Sequence, residues 1–299
     1  MGASQDISMS KQVNNSSPRL FVVDVLRVVC MIWIICIWHL SDYLPNEYGI
    51  SLTESAVGET VTKVVLSLFT FISGFTLSKY NFNNLLDAKN FYLKRLKRFY
   101  GLYAIAIILF YIIGWYSLKA TLKMLLGVGI VNGCAPFTLW YMCMLMVFYA
   151  LTPILRFSYP KKIYNAIAFI AICLVLRYIL RVSDIILLYY CAYALGLFVG
   201  RWLIPHLSKM SLNRNGWGAK SISALAYGSF CAYLFHRVVF WLVANMFVEG
   251  WIRSILVPMS ILTCVFAIII LFVASYGIQY IYDVFIAYIG RNRNSKISN

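Results

Sequence analysis

Long, nearly uncharged apolar blocks decide what this chain can fold into. About 20 mostly apolar residues are enough to cross a bilayer as one helix. Eight such blocks follow one another: Phe21–Leu44, Val61–Lys79, Phe99–Ser117, Thr138–Phe157, Ile163–Leu180, Ile185–Ile204, Ile222–Phe247 and Ile255–Ile281. A ninth stretch, Lys119–Gly133, is shorter and amphipathic, with two lysines and three glycines, and reads as an interfacial or re-entrant segment. Only 12% of the residues are charged, about half the share in a soluble domain, which excludes an ordinary cytosolic enzyme. The expected fold is all-α, a polytopic transmembrane bundle of about eight helices. A polar tail (1–19) precedes the membrane domain (20–284), and a basic tail (285–299) follows it.

The net charge of +16 would suggest nucleic acid in a soluble protein. Here the cations lie between the blocks, so they orient the chain and no nucleic-acid partner is expected. With the N-terminus inside, Lys79, Lys89, Lys94, Arg95, Lys97, Arg98, Arg156, Lys161, Lys162, Arg201, Lys209, Arg214, Arg291 and Arg293 all fall on the cytoplasmic side. The first outer loop instead carries Glu47, Glu54 and Glu59. Both termini are therefore expected in the cytoplasm. The eight cysteines form no CxxC pair and lie mostly in apolar blocks, which reads as small buried hydrophobes and gives no metal site.

Charge inside a span is costly, so such residues are candidates for function. Asp24 and Arg27, three apart, share a face of the first helix and can pair, either at a site or as an interfacial anchor. His39 lies twelve residues beyond Arg27, about 18 Å along a regular helix. An imidazole there can accept and return a proton, as a general base must, or simply be hydrogen-bonded at the interface. His236 sits in the apolar run Tyr227–Phe240 and reads equally as a site residue or as the marker of a helix end. His206 follows Pro205 in an inner loop and reads as solvated. Lys94, Arg95, Lys97 and Arg98 run straight into the third block. They either anchor the helix on anionic lipid or turn Arg95 and Arg98 towards a phosphate-bearing ligand. Arg177, deep in the fifth block with Asp184 as its nearest counterion, is a further candidate.

Several motifs occur together and in order. Asp24-Val25-Leu26-Arg27 followed by His39 resembles the opening helix of the acyltransferase-3 family of integral-membrane acyltransferases. Phe71-Ile72-Ser73-Gly74-Phe75 is similar to its SGF segment. Arg95 and Arg98 before Tyr103 resemble its basic entry to the third helix, with Gly101 where the family usually has proline. Leu139-Trp140-Tyr141 with Tyr149 and Pro153 resembles its LWFL…Y…P span, and Tyr233-Leu234-Phe235-His236 its late YL-x-H motif.

The resemblance implies an enzyme that moves an acetyl group from acetyl-CoA to a hydroxyl of a carbohydrate: polysaccharide, lipopolysaccharide or a lipid-linked oligosaccharide. It implies a multi-pass protein of a bacterial inner membrane, in contact with lipid and without a metal. His39 becomes the catalytic residue with Arg27 and Asp24 beside it. Lys94, Arg95 and Arg98 become the acyl-CoA side, while Ser73, Trp140, Tyr141, His236 and Arg177 become the substrate pocket. Transfer of another acyl group such as succinyl, or transport of a glycan or lipid without chemistry, are the alternatives. In the family ten residues separate the arginine and histidine; here eleven separate Arg27 and His39. At 100° per residue the extra one swings the two about 120° apart rather than about 20°. A π-turn or local unwinding between Val28 and Trp38, with Arg27 and His39 both facing the bundle interior, is expected.

Overall fold

A computed structural model describes residues 20–44, 55–128, 138–156, 162–208, 216–246 and 259–295. The N-terminal tail, Glu47, Glu54, Cys134, Lys161, Lys209, Arg214 and Lys296 lie outside the described residues. Within them every regular element is helical. Helix α1 (Phe21–Met31) continues as a π-helix through Ile32–His39, and α2 is Ala56–Leu77. Helix α3 (Leu85–Arg95) passes through π-wound Leu96–Tyr100 into α4 (Gly101–Ile112), and α5 is Leu118–Leu125. Then come α6 (Trp140–Leu155), α7 (Lys162–Leu174, π-wound on through Val175–Ile179) and α8 (Asp184–Ser208). The last two are α9 (Trp217–Asn245) and α10 (Ile261–Ser295).

Among the described residues five helices are long and apolar enough to cross a membrane: Phe21–His39, Ala56–Leu77, Asp184–Ile204, Trp217–Asn245 and Ile261–Ile289. The other three blocks read as spans appear as the shorter apolar helices α4, α6 and α7. The amphipathic ninth stretch contains α5, tied to the π-wound turn and to α4 where Tyr100 and Tyr103 donate to the Leu125 and Met124 carbonyls. Of the long helices, α9 is the central one, with 78% of its most apolar window inside the bundle against 22% for α10. Apolar side chains such as Leu262, Val273 and Ile281 give α10 an outward face suited to lipid.

The π-turn expected in α1 is present. The Leu40 N–H reaches back to the Ile35 carbonyl, five residues earlier, and no proline interrupts the run. The extra residue is absorbed within the helix, and His39 is delivered against α9.

Small residues draw α2 and α8 together. A Cβ on Gly74 would stand 2.1 Å from the Tyr193 carbonyl oxygen, and one on Gly196 2.2 Å from that of Phe71. With no hydrophobic force between helices in lipid, such backbone proximity is what holds them. Glycine at 101 has a different cause. Tyr282 of α10 lies where its Cβ would be and donates to the Lys97 carbonyl at 2.5 Å. At the far end of α2, Arg156 is buried and donates to the Ser78 carbonyl at 2.6 Å, to Asn81 Oδ1 at 3.1 Å and to the Tyr80 carbonyl. It closes the helix C-terminus, whose last carbonyls lack partners within the helix. The sequence places Arg156 among the orienting loop cations; the structure makes it a buried joint.

Candidate active site

Helix α6 is about 24 Å long at 1.5 Å per residue, and its two ends mark two ends of the bundle. Arg156, just past its C-terminus, meets the end of α2. Beside its N-terminus, the Thr138 carbonyl accepts from Tyr233 of α9 at 2.5 Å. The end of α1 lies at that second end too, where Met259 N–H donates to the Tyr43 carbonyl at 2.7 Å.

His39 and His236 meet here, brought together from opposite ends of the sequence. Their rings stack at 5.0 Å between centroids, 24° from parallel. Arg237, buried beside His236, points Nη2 at His39 Nδ1 (3.0 Å) and at Asp42 Oδ2 (2.9 Å). Its guanidinium also lies 5.5 Å over the Tyr43 ring. His236 Nδ1 is 2.8 Å from the Tyr233 carbonyl oxygen, and Phe240 packs edge-on against both His236 and Tyr43. A charge buried this far needs its partner: removing one member of such a pair typically costs about 3–5 kcal/mol. Asp42 and Arg237 thus tie the end of α1 directly to α9 beside the two stacked imidazoles.

The remaining candidates divide into three groups. Tyr141 and Trp140 adjoin the site: Tyr141 is fully buried, hydrogen-bonded to Thr70 Oγ1 at 2.8 Å, and its ring lies 5.8 Å from that of Tyr233. Trp140 stacks on Tyr189. Asp24 and Arg27 belong to the first turns of α1, three to four turns away from His39; Asp24 is buried and Arg27 half-buried. Ser73 and Arg177 have partners of their own. Ser73 is buried and donates back to the Phe69 carbonyl at 3.0 Å, while Arg177 pairs with Asp184 on an exposed face of the bundle.

The basic cluster also splits. Arg95 sits among four aromatic rings, Tyr80, Phe91, Phe99 and Tyr149, each 5.4–5.8 Å from its guanidinium carbon, and donates to the Tyr80 hydroxyl. Lys94 and Arg98 are exposed. Phe99 continues inward to Phe230 of α9 at 5.0 Å. From Phe230 to His236 is six residues, about 9 Å along the axis. On α9, Phe230 faces the basic cluster through Phe99, and Tyr233, one turn further on, lies 5.8 Å from the His236 ring. Among the described residues no three His, Cys, Asp or Glu side chains converge to hold a metal ion.

Sequence reasoning missed Asp42 and Arg237. The signal was present: an arginine inside the apolar block Ile222–Phe247 must find a counterion, and Asp42 lies one turn past His39.

The family model described as an acyltransferase domain matches residues 21–211. The chain belongs to the acyltransferase-3 family. No curated protein and no solved structure matches it significantly. As a family member it is a membrane acyltransferase, with an acyl donor and an acceptor as its substrates. The match contains His39, Asp42 and the basic cluster and ends before α9, so His236 and Arg237 lie beyond it.

Proposed function

We propose that this protein transfers an acetyl group from cytoplasmic acetyl-CoA to a hydroxyl of a cell-surface carbohydrate or its lipid-linked precursor. The observation that carries this reading is the joined set of His39, His236, Arg237 and Asp42 within an acyltransferase bundle. A hydroxyl is a weak nucleophile until a base takes its proton, and imidazole is suited to that exchange. Asp42 orients Arg237, Arg237 orients His39, and the packed rings of Tyr43, Tyr233 and Phe240 keep bulk water away.

The two ends of the bundle suit the two substrates. Coenzyme A is a polyanion made in the cytoplasm, and Lys94 and Arg98 offer exposed cations on the side that the distribution of charge assigns to the cytoplasm. Arg95 acts within its ring of aromatics, shaping the entrance. The thin, flexible arm of the coenzyme then passes Phe99, Phe230 and Tyr233 towards His39. Asp24 and Arg27 support the inner part of α1, and Trp140 and Tyr141 flank the acceptor side. The placement of Arg177 on an exposed face, paired with Asp184, gives no support to a charged transport path.

Mass spectrometry of surface glycan from cells with and without the protein tests the reading. One acetyl mass per modified sugar, present only with the protein, is expected. Identical glycans would refute it, and a succinyl mass would correct the donor.

A further inference from the structure

Two hydrogen bonds decide which nitrogen of each stacked imidazole carries the proton, and they decide it oppositely. A guanidinium has donors only, so Arg237 Nη2 makes His39 Nδ1 an acceptor. Neutral His39 therefore carries its proton on Nε2. A carbonyl oxygen only accepts, so His236 donates to Tyr233 from Nδ1 and keeps a bare lone pair on Nε2. That Nε2 is fully buried and has no hydrogen-bond partner among the described residues. A buried polar atom left this way is costly unless a ligand meets it.

We infer that His236 Nε2 is the proton acceptor of the transfer and that His39 Nε2–H is the donor to the reacting carbonyl oxygen. This assignment rests on the acetyl-transfer reading and divides its chemistry between two rings. The acceptor oxygen forms a C–O bond to the thioester carbon as its proton passes to His236 Nε2. The carbonyl π pair moves onto oxygen, where His39 Nε2–H meets it. When the carbonyl re-forms, the C–S bond breaks and its electron pair stays on sulfur. The proton on His236 then moves to that sulfur. Ester and free thiol leave, and both imidazoles regain their starting tautomers. His39 is poorly placed for the other role. Its Nε2 is already protonated, and a proton on Nδ1 would break the Arg237 bond and set two cations 3.0 Å apart.

The chain has three histidines, so nitrogen NMR of the full-length protein labelled with ¹⁵N-histidine reads the tautomers directly. His39→Gln, His206→Gln and His236→Gln assign the signals by removing one set each. The expected result is a proton on Nε2 of His39 and on Nδ1 of His236, with Arg237→Met mixing the tautomers of His39 alone. A proton on His39 Nδ1, a proton on His236 Nε2, or averaging at either ring in the wild type overturns the inference. The chemical half is read as thiol release from acetyl-CoA in membrane vesicles that carry the protein and its native acceptor. His236→Gln lowers the rate 100-fold or more. His39→Gln keeps an N–H but has no basic nitrogen, so it retains at least tenfold more rate than His39→Ala. Equal rates for the two His39 variants, or more than a tenth of wild-type rate in His236→Gln, overturn the inference. If wild-type vesicles release no thiol, the acetyl-transfer reading itself fails, and the NMR result separates that failure from a wrong tautomer assignment.

Discussion

Replacing Gly74 or Gly196 by alanine tests the seam that holds α2 against α8. The new methyl groups would stand 2.1 and 2.2 Å from carbonyl oxygens of the facing helix, where ordinary contact begins near 3.4 Å. Those oxygens belong to backbone, so no side chain can turn aside and the two helices must part by more than about 1 Å. Gaps of 0.5–1 Å forfeit roughly a quarter to a half of each dispersion contact along the seam. Overpacking of this kind costs about 1–3 kcal/mol, and backbone obstruction puts these sites at the upper end. Alanine returns about 1 kcal/mol through helix propensity, which leaves a net loss of about 2 kcal/mol for each variant. Gly277→Ala in α10 is the control, because a Cβ there meets nothing within 4 Å. Equilibrium denaturation in mixed micelles measures all three. Because one separation relieves both clashes, the double variant loses less than the sum of the singles. If Gly74→Ala and Gly196→Ala prove as stable as Gly277→Ala, close helix contact does not hold this seam.

Arg156→Met removes the donors that close the end of α2 and costs about 3 kcal/mol or less in the same assay, judged from hydrogen bonds to charged groups at 1.5–3 kcal/mol; no change in stability would contradict its role as a buried joint. Ser73→Ala costs under about 1 kcal/mol, since only the Phe69 carbonyl loses a donor; a larger loss would give Ser73 a role its contacts do not explain. Arg98→Ala raises the apparent KM for acetyl-CoA more than it lowers kcat, and the defect shrinks with a short thioester that lacks the nucleotide. Equal defects with both donors would make Arg98 a lipid anchor instead.

The sequence reads well where the physics is local. The apolar blocks foretell an all-helical membrane bundle because each helix must satisfy its own backbone in lipid. The single extra residue between Arg27 and His39 foretells the π-turn, since helical phase is counted along one segment. What depends on pairing between distant segments is not legible in this way. Asp42 and Arg237 are 195 residues apart, and no local pattern couples them. Arg156 reads as a loop cation because its hydrogen bonds run to a turn more than seventy residues earlier. The SGF segment is recognisable as a motif, yet its glycine works as a helix contact, which only the facing Tyr193 reveals. Arg95 and Arg98 look alike in the sequence; four rings from three separate stretches of chain enclose one and leave the other exposed.

The central claim is that His39 and its partners perform acyl transfer. Membrane vesicles carrying the full chain, supplied with radiolabelled acetyl-CoA, test it most directly. The account predicts base-labile label on membrane or glycan material in the wild type, and a rate about 100-fold lower or more in His39→Ala at equal protein level, the loss of a donor to the reacting oxygen. Label no higher than in vesicles lacking the protein, or more than a tenth of the wild-type rate in His39→Ala, would contradict it.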